Sequence, residues 1–393
     1  MTSGRRPPSG SGSLPEVIRS EAELSPSRRL TFARFMELAL YHPEHGYYRQ
    51  AADRPTGAGD FLTAPETHPI FGWTVARRIE EMWRGLDRPV PFDLVEYGAG
   101  SGTLGLSVIE GIVRHGETDL LAAIRYTPVE TNRHRLDDLR SRFEEAGLGQ
   151  RLAFPEPADD DGANVIDGEP ASNRSVPVSG VILANEFLDA LPVHRVLMRG
   201  GRLRELYVAW RLLAGTEGQF VEVIGEPSTP DLAGRLAAVS VELAEGQVAE
   251  ICLGLDPWLR GAAARLERGF VLIVDYGYEA TELYGPRRLA GTLLGYRGHR
   301  IIPDFLSDPG GIDLTAHVDF TALQLLGERH GLRPVALTTQ AEFLVEAGLE
   351  DELQALQAAP DLTLAEYARA RSGIVRMLDP RHMGRFRVLT LER

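Results

Sequence analysis

The sequence predicts a doubly wound α/β fold, and three observations carry this expectation. From about residue 91, apolar runs of strand length alternate with segments of helical period. The first run, PFDLVEYG, passes through a glycine-rich turn into a helix. Acidic residues then recur where such runs end, at Glu96, Glu130 and Glu186.

Along the chain, residues 1–13 (MTSGRRPPSGSGS) have almost nothing to bury and are expected to be disordered, within a tail reaching residue 28. They hold no apolar stretch of the kind a secretory signal needs. A transit peptide stays open on composition, with Glu16, Glu21 and Glu23 against it. Residues 29–90 read as a helical region. Phe32, Phe35, Met36, Ala39 and Leu40 share one face, Thr31 is placed to cap, and Pro43 to stop. HPIFGWTVARRIEEMWRGL gives a second helix, and GAGDFLTAPE lies between them. The core follows over 91–192. Its predicted parts are the strand PFDLVEYG, a helix over 103–114, the strand AIRYTPVE, a helix over 132–146, a short strand RLAFPEP and the strand VSGVILANE. Residues 157–178 are acidic and rich in Gly, Pro and Ser, which predicts a flexible surface insertion. Residues 193–268 form an inserted β/α unit, with antiparallel strands to Glu226 and helices over 229–244 and 254–268. Residues 269–393 return to the sheet through GFVLIVDYG, a helix over 318–330, LRPVALTTQ and a closing strand, FRVLTLER.

Composition narrows the chemistry. None of the 393 residues is lysine, so all 42 basic residues are arginine. P-loop, kinase and Schiff-base lysine chemistries are thereby excluded. The single cysteine, Cys252, excludes an intrachain disulfide, a redox pair and a cysteine-built zinc site, and it is compatible with the cytoplasm. No His/Asp/Glu cluster has metal-ligand spacing, so no metal is expected. With 56 acids the net charge is −14, which argues against nucleic acid and is compatible with a basic protein partner. No apolar run is long enough to predict a membrane span.

Three constellations are candidates for chemistry. The first is Glu96-Tyr97-Gly98-Ala99-Gly100-Ser101-Gly102-Thr103, between a strand and a helix. Its E-x-G-x-G-x-G spacing matches the loop that binds S-adenosylmethionine in class I methyltransferases. A dinucleotide fingerprint would need glycine where Thr103 stands, so NAD is the weaker alternative. Glu96 suits a cationic cofactor, and Glu130, ending the next strand, can accept hydrogen bonds from ribose hydroxyls. The second is Asn185-Glu186-Phe187-Leu188-Asp189, at the carboxyl end of a strand, where open α/β sheets bind ligands. These residues equally suit a helix cap with acids in its first turn. The third is His317, flanked by Asp313 and Asp319. It could serve as a general base, but a helix start capped by Asp319 with His317 merely packed is the stronger reading of the residues.

In order, the segments FMELALYHPEHGYY, GDFLTAPETHPIFG, VEYGAGSGTL, ANEFLDALPVHR, VDYGY, GTLLGYRGH, DLTAHVDF, TQAEFLVEAG and MGRFRVL carry a resemblance from about residue 30 to the C-terminus. The chain resembles the MidA-like family of class I methyltransferases, which includes the mitochondrial complex I assembly protein-arginine methyltransferase. The resemblance implies a Rossmann-like core with a helical N-terminal region and a substrate-side subdomain. It implies S-adenosyl-L-methionine as cofactor and an arginine-bearing protein or peptide as acceptor. Gly98, Gly100, Gly102 and Thr103 would form the cofactor loop beside Glu96, with Glu130 on the ribose. Thr63, Pro65 and Glu66 would close over the site, and Asn185, Glu186 and Asp189 would face the transferred methyl. Glu186 and Asp189 become the candidate catalytic pair, with His317 as an alternative proton acceptor. A small-molecule O- or N-methyltransferase and a noncatalytic assembly factor remain alternatives on the same scaffold.

Overall fold

The computed structural model describes residues 12–50, 63–154, 177–212, 218–360 and 362–393. Expectations for residues 1–11, 57–62 and 157–176 lie outside these ranges.

A six-stranded sheet organises the chain. Its strands are β1 (Phe92–Tyr97), β2 (Ile124–Val129), β3 (Val178–Asn185), β4 (Leu266–Asp275), β5 (Arg333–Thr339) and β6 (Arg387–Glu392). They lie in the order β5-β6-β4-β3-β1-β2. Neighbours from β4 through β2 are parallel, and β6 pairs antiparallel with both β4 and β5. The predicted alternation is therefore real, and FRVLTLER ends the chain inside the sheet rather than at its edge. Successive side chains serve opposite faces. Leu94, Val181, Leu183, Leu272 and Val274 enter one buried core, whereas Val95, Ile182, Val271 and Ile273 enter the other. Burial on both faces explains why these strands read as continuous apolar runs.

Helix Thr103–Arg114 starts and ends at the expected residues. Helix Arg133–Glu145 is capped by Asn132, whose side chain accepts from the backbone of His134 and Arg135. Thr31 likewise caps helix Phe32–Tyr41, and Asp319 caps Phe320–Arg329. The inserted unit is a second sheet. His194–Arg199, Arg202–Arg211 and Gln219–Gly225 are antiparallel as expected, and Val248–Ile251 and Leu30–Thr31 add strands beside them. The pairing of Leu30–Thr31 with Tyr207–Val208 ties the N-terminal region to this unit.

Four expectations change. Leu14–Leu24 is a helix rather than tail. Leu14, Ile18 and Ala22, spaced by four, are buried, and the Glu16 carboxylate accepts from the Ser13 backbone N–H at 2.7 Å. The predicted strand RLAFPEP contributes one bridge, Leu152 to Tyr126, within its described part. The helix expected over 229–244 is Asp231–Ala238, ending just before Ser240 adopts φ +57°. The helix expected over 254–268 stops at Arg265, because Leu266 enters β4 beside Val178.

The N-terminal correction has a direct check. Ile18→Ala is expected to lower stability by roughly 2–5 kcal/mol in denaturant unfolding. A disordered tail would lose nothing.

Candidate functional site

The carboxyl ends of β1, β2, β3 and β4 open into one cavity. Its walls include Glu96, Gly98, Gly100, Thr103, Glu130, Asn185, Glu186 and Asp189, and also Thr63, Pro65 and Glu66. Thus eleven residues singled out in separate segments converge on one space.

The loop after β1 is shaped by its glycines. Gly98, Gly100 and Gly102 have φ of +69°, +54° and +75°, the left-handed region that glycine adopts without a Cβ penalty. Their surroundings differ. A Cβ on Gly102 would come within 2.5 Å of Leu139, and one on Gly98 within 2.9 Å of Phe187. Those two answer to packing within the protein, and Gly102 sits behind the cavity wall rather than on it. Gly100 is on the wall, and a Cβ there would meet only Arg135 Nη1, at 4.0 Å. Space of this kind beside the backbone is what a closely seated ligand occupies.

The acids of the cavity have distinct environments. Glu130 Oε2 accepts from Gly100 N–H at 3.0 Å, and Oε1 from Asn132 N–H at 2.8 Å. The end of β2 is thereby bonded to the glycine loop. Glu96 is buried beneath the same loop and accepts from the Tyr126 hydroxyl at 2.6 Å. Burial lifts its carboxyl to about 7, against the pull of Tyr126 and the Gly105 backbone. It braces the loop from below.

Glu186 follows β3 and holds a left-handed backbone at φ +48°. Such strain costs about 1–3 kcal/mol and clusters at functional sites. Its N–H donates to Val274 O at 2.8 Å, fixing the turn to β4. Its Oε1 accepts from Ala64 N–H and Asn185 Nδ2, both at 3.3 Å. Burial, with Asp189 nearby, raises its carboxyl to about 8. Asp189 is raised to about 6, again by burial first, and the Tyr276 hydroxyl donates to its Oδ2. Its Oδ1 is buried without a hydrogen-bond partner among the described residues, as is Asn185 Oδ1. Unmet buried acceptors of this kind are uncommon and mark strain, a bound water or ion, or a catalytic role.

The sequence reading missed several contributors. Asp275, fully buried at the end of β4, accepts on Oδ2 from the N–H groups of Phe187, Leu188 and Asp189 at 3.2, 2.9 and 3.3 Å. Its Oδ1 accepts from Tyr276 N–H at 2.8 Å. Tyr41, Tyr48 and Tyr276 also line the cavity, as does Asp313, which the sequence placed only as a flank of His317. The Tyr41 hydroxyl donates to Ala190 O at 3.0 Å, and that of Tyr48 to Asp313 Oδ1 at 2.7 Å. Asp275 carried the same signal as Glu130, an acid at the carboxyl end of a sheet strand. The tyrosines stood inside recognised segments with no local pattern to assign them.

His317 does not line the cavity. Its ring packs behind the Tyr276 ring at 5.4 Å and against Tyr278 at 5.3 Å. Burial, with Arg385 and Arg288 nearby, pushes its imidazole down to about 4. The packed reading of His317 therefore replaces the proton-acceptor reading. Among the described residues no group of three or more His, Cys, Asp or Glu is arranged to hold a metal, and no helix is long and apolar enough to cross a membrane.

Comparison with known proteins places this cavity in a wider set. A family model described as an S-adenosyl-L-methionine-dependent methyltransferase matches residues 74–338. A Drosophila melanogaster protein named as a mitochondrial protein arginine methyltransferase NDUFAF7 homolog is 30% identical, over 98% of this chain and 85% of its own. The human NDUFAF7 protein arginine methyltransferase is 26% identical, over 83% of this chain and 72% of its own. A Burkholderia thailandensis crystal structure with bound S-adenosyl-homocysteine superposes with a TM-score of 0.81. It is 28% identical and aligns over 97% of this chain and 92% of that one.

The glycine contrast gives a paired prediction. Gly100→Ala is expected to weaken S-adenosyl-homocysteine binding at least about tenfold in calorimetry, with a stability loss of only about 1 kcal/mol for the left-handed backbone. Gly102→Ala is expected to do more damage to thermal stability than Gly100→Ala, because Leu139 must also move. Equal effects of the two on binding would remove the distinction.

Proposed function

The chain belongs to the S-adenosyl-L-methionine-dependent methyltransferase family whose model it matches over residues 74–338, and from that membership we propose that its acceptor is an arginine guanidinium of a protein or peptide. The carrying observation is the pair of carboxylates, half-buried Glu186 and buried Asp189, on the wall of one cavity. A buried acid pair disfavours its own ionisation and is relieved by a cation. The arginine named for relatives such as the Drosophila protein accords with this chemistry.

The cavity suits the cofactor in both shape and charge. In this reading Gly98, Gly100 and Thr103 receive its backbone-facing side, with Gly102 shaping the loop from behind, Glu96 beneath it and Glu130 on the ribose. Thr63, Pro65, Glu66 and Asn185 close the side nearest Glu186. When bound, S-adenosylmethionine supplies an electrophilic methyl on a sulfonium. The remaining work belongs to the chain. A guanidinium arrives charged, since its pKa exceeds about 12. Glu186 and Asp189 turn one nitrogen toward the methyl and hold it there. Such orientation can supply about 7–11 kcal/mol of the barrier. As that nitrogen forms its bond to the methyl carbon, the carbon–sulfur bond breaks with its electron pair left on sulfur as a neutral thioether, and the pair accepts the proton the nitrogen gives up. Tyr276, donating to Asp189, keeps that carboxylate in place.

Labelled cofactor incubated with cell extract is expected to mark a protein band that yields methylarginine on hydrolysis. Label confined to a metabolite would overturn the acceptor. Glu186→Gln is expected to keep cofactor affinity and to lose about 10²–10⁴ in turnover; a fully active variant would remove Glu186 from the reaction. Because burial raises the Glu186 pKa, the folded chain binds that proton more tightly than the unfolded chain. Its stabilising contribution is full below the ordinary carboxyl range and is lost as pH rises toward about 8. The same variant is therefore expected to melt higher than the parent above pH 8. For catalysis the sign is opposite. The rate constant kcat/KM for an arginine peptide should rise across the interval from about 6 to about 8, as Asp189 and then Glu186 ionise. A profile falling over that interval would contradict the pair.

A further inference from the structure

Away from the glycine loop and the end of β2, the cavity holds a further acid beside Glu186 and Asp189, on a different element. Asp313 begins the short strand Asp313–Thr315 and is buried, yet it reaches the cavity wall. Its position is fixed from several sides. The strand pairs with Leu294–Tyr296, which sets Asp313 opposite Tyr296. Just beyond the strand, Ala316 N–H donates to Asp189 O at 3.0 Å, so the strand runs beside the turn that carries Asp189. From the N-terminal region, Gln50 Nε2 donates to Gly310 O at 2.9 Å, and Tyr48 donates its hydroxyl to Asp313 Oδ1 at 2.7 Å. The Tyr41 ring lies 5.6 Å from that of Tyr48 on the same wall. Tyr41 and Tyr48 are half-buried, and their hydroxyls are raised by burial and then by the charges of Asp189 and Asp313. The two acids thus act on the same pair of rings from the turn after β3 and from this strand. Neither lies in the glycine loop or at the end of β2, where the cofactor's ribose is assigned.

We propose that Asp313, ordered by Tyr48, is a specificity-determining residue of the acceptor site, which holds a planar cation between Asp189 and Asp313 against the rings of Tyr41 and Tyr48. This rests on the arginine reading and deepens it. A guanidinium presents its N–H donors as a rigid planar fork, which two carboxylates on different elements can grip in one plane, and its flat face stacks on aromatic rings. An ammonium is a compact point charge with no such plane, and a neutral amide leaves both carboxylates uncompensated. Asp313 binds rather than reacts, so its removal acts on affinity and selectivity and leaves the chemical step to Glu186 and Asp189.

The experiment compares a pool of glycine-flanked arginine peptides with citrulline counterparts, which keep the shape and lose the charge. Parent, Asp313→Asn and Tyr48→Phe chains are each assayed for methylation and for competition by the citrulline peptide. Calorimetry with S-adenosyl-homocysteine reports whether each chain is folded. Asp313→Asn is expected to raise KM for the arginine peptide at least about tenfold, to leave kcat within about twofold and to keep cofactor affinity. Its preference for arginine over citrulline should fall by a similar factor. Tyr48→Phe should move KM and preference in the same direction by about threefold. A parent that methylates arginine peptides, with Asp313→Asn keeping the parent's arginine-to-citrulline preference, overturns the role of Asp313 alone. A parent that neither binds nor methylates arginine peptides overturns the acceptor reading and this inference together. Lost cofactor binding in both variants would mark Asp313 and Tyr48 as framework rather than acceptor contacts, and would also overturn it.

Discussion

The active-site side of the fold depends on one buried carboxylate. Asp275 ends β4 and receives four backbone N–H groups, three of them from the consecutive residues Phe187, Leu188 and Asp189. Those donors stand at the start of a short 3₁₀ segment, Leu188–Ala190, where the first N–H groups have no partner within their own turn. The bonds fasten the end of β3 to the end of β4 and force the chain to double back at Glu186. The left-handed backbone there follows from this fastening, as does the exposure of Glu186 and Asp189 to the same cavity. The cost is electrostatic. Asp275 stands near both acids, and its own carboxyl is pushed well above the ordinary range by burial and then by their charges.

The N-terminal region completes the site through the cofactor side of the sheet. Asn132, two residues past Glu130, caps its helix with Oδ1 and donates from Nδ2 to Tyr48 O and Gln50 O at 3.0 and 3.2 Å. Arg49 adds a bond from Nη1 to Thr131 O at 2.8 Å. The segment carrying Tyr47 and Tyr48 is therefore laced to the same loop that bears Glu130. Its tyrosines form the opposite wall, and Tyr41 reaches Ala190 behind Asp189. One residue, Asn132, thus orders a helix, the strand end beside it and the aromatic wall across the cavity.

This division explains what could be read in the sequence. Thr31, Asn132 and Asp319 were legible because caps are local: a short polar side chain meets amides two or three residues ahead. Gly98, Gly100 and Gly102 were legible because strand, turn and helix are consecutive. The meaning of each glycine was not, since Leu139 and Phe187, which require two of them to be bare, lie far along the chain. Asp275 and Asp313 each close a bond across more than 80 residues, to Leu188 and Tyr48. No period or spacing records such a partner. His317 failed for the complementary reason. Acids near it in sequence allowed a general base beside the stronger packed reading, but Asp319 gives its side chain to Ala322 N–H, and the imidazole turns to the tyrosines instead.

The absence of lysine and the surplus of acid take on a physical sense in the cavity. Under the proposed reaction two cations must approach, one a sulfonium and the other a guanidinium. Two unit charges roughly 4 Å apart repel by about 4 kcal/mol at an effective dielectric near 20. A cavity with neutral walls would leave that repulsion to oppose every encounter. Glu186, Asp189 and Asp313 offset it before the reactants meet, and they do so from fixed positions, so no solvent must reorganise as charge moves. Part of this advantage is surrendered when the empty site takes up protons, because burial holds Glu186 and Asp189 above the ordinary range. In the proposed reaction an arriving cation must displace a proton from the pair, so its binding is opposed as pH falls below about 6.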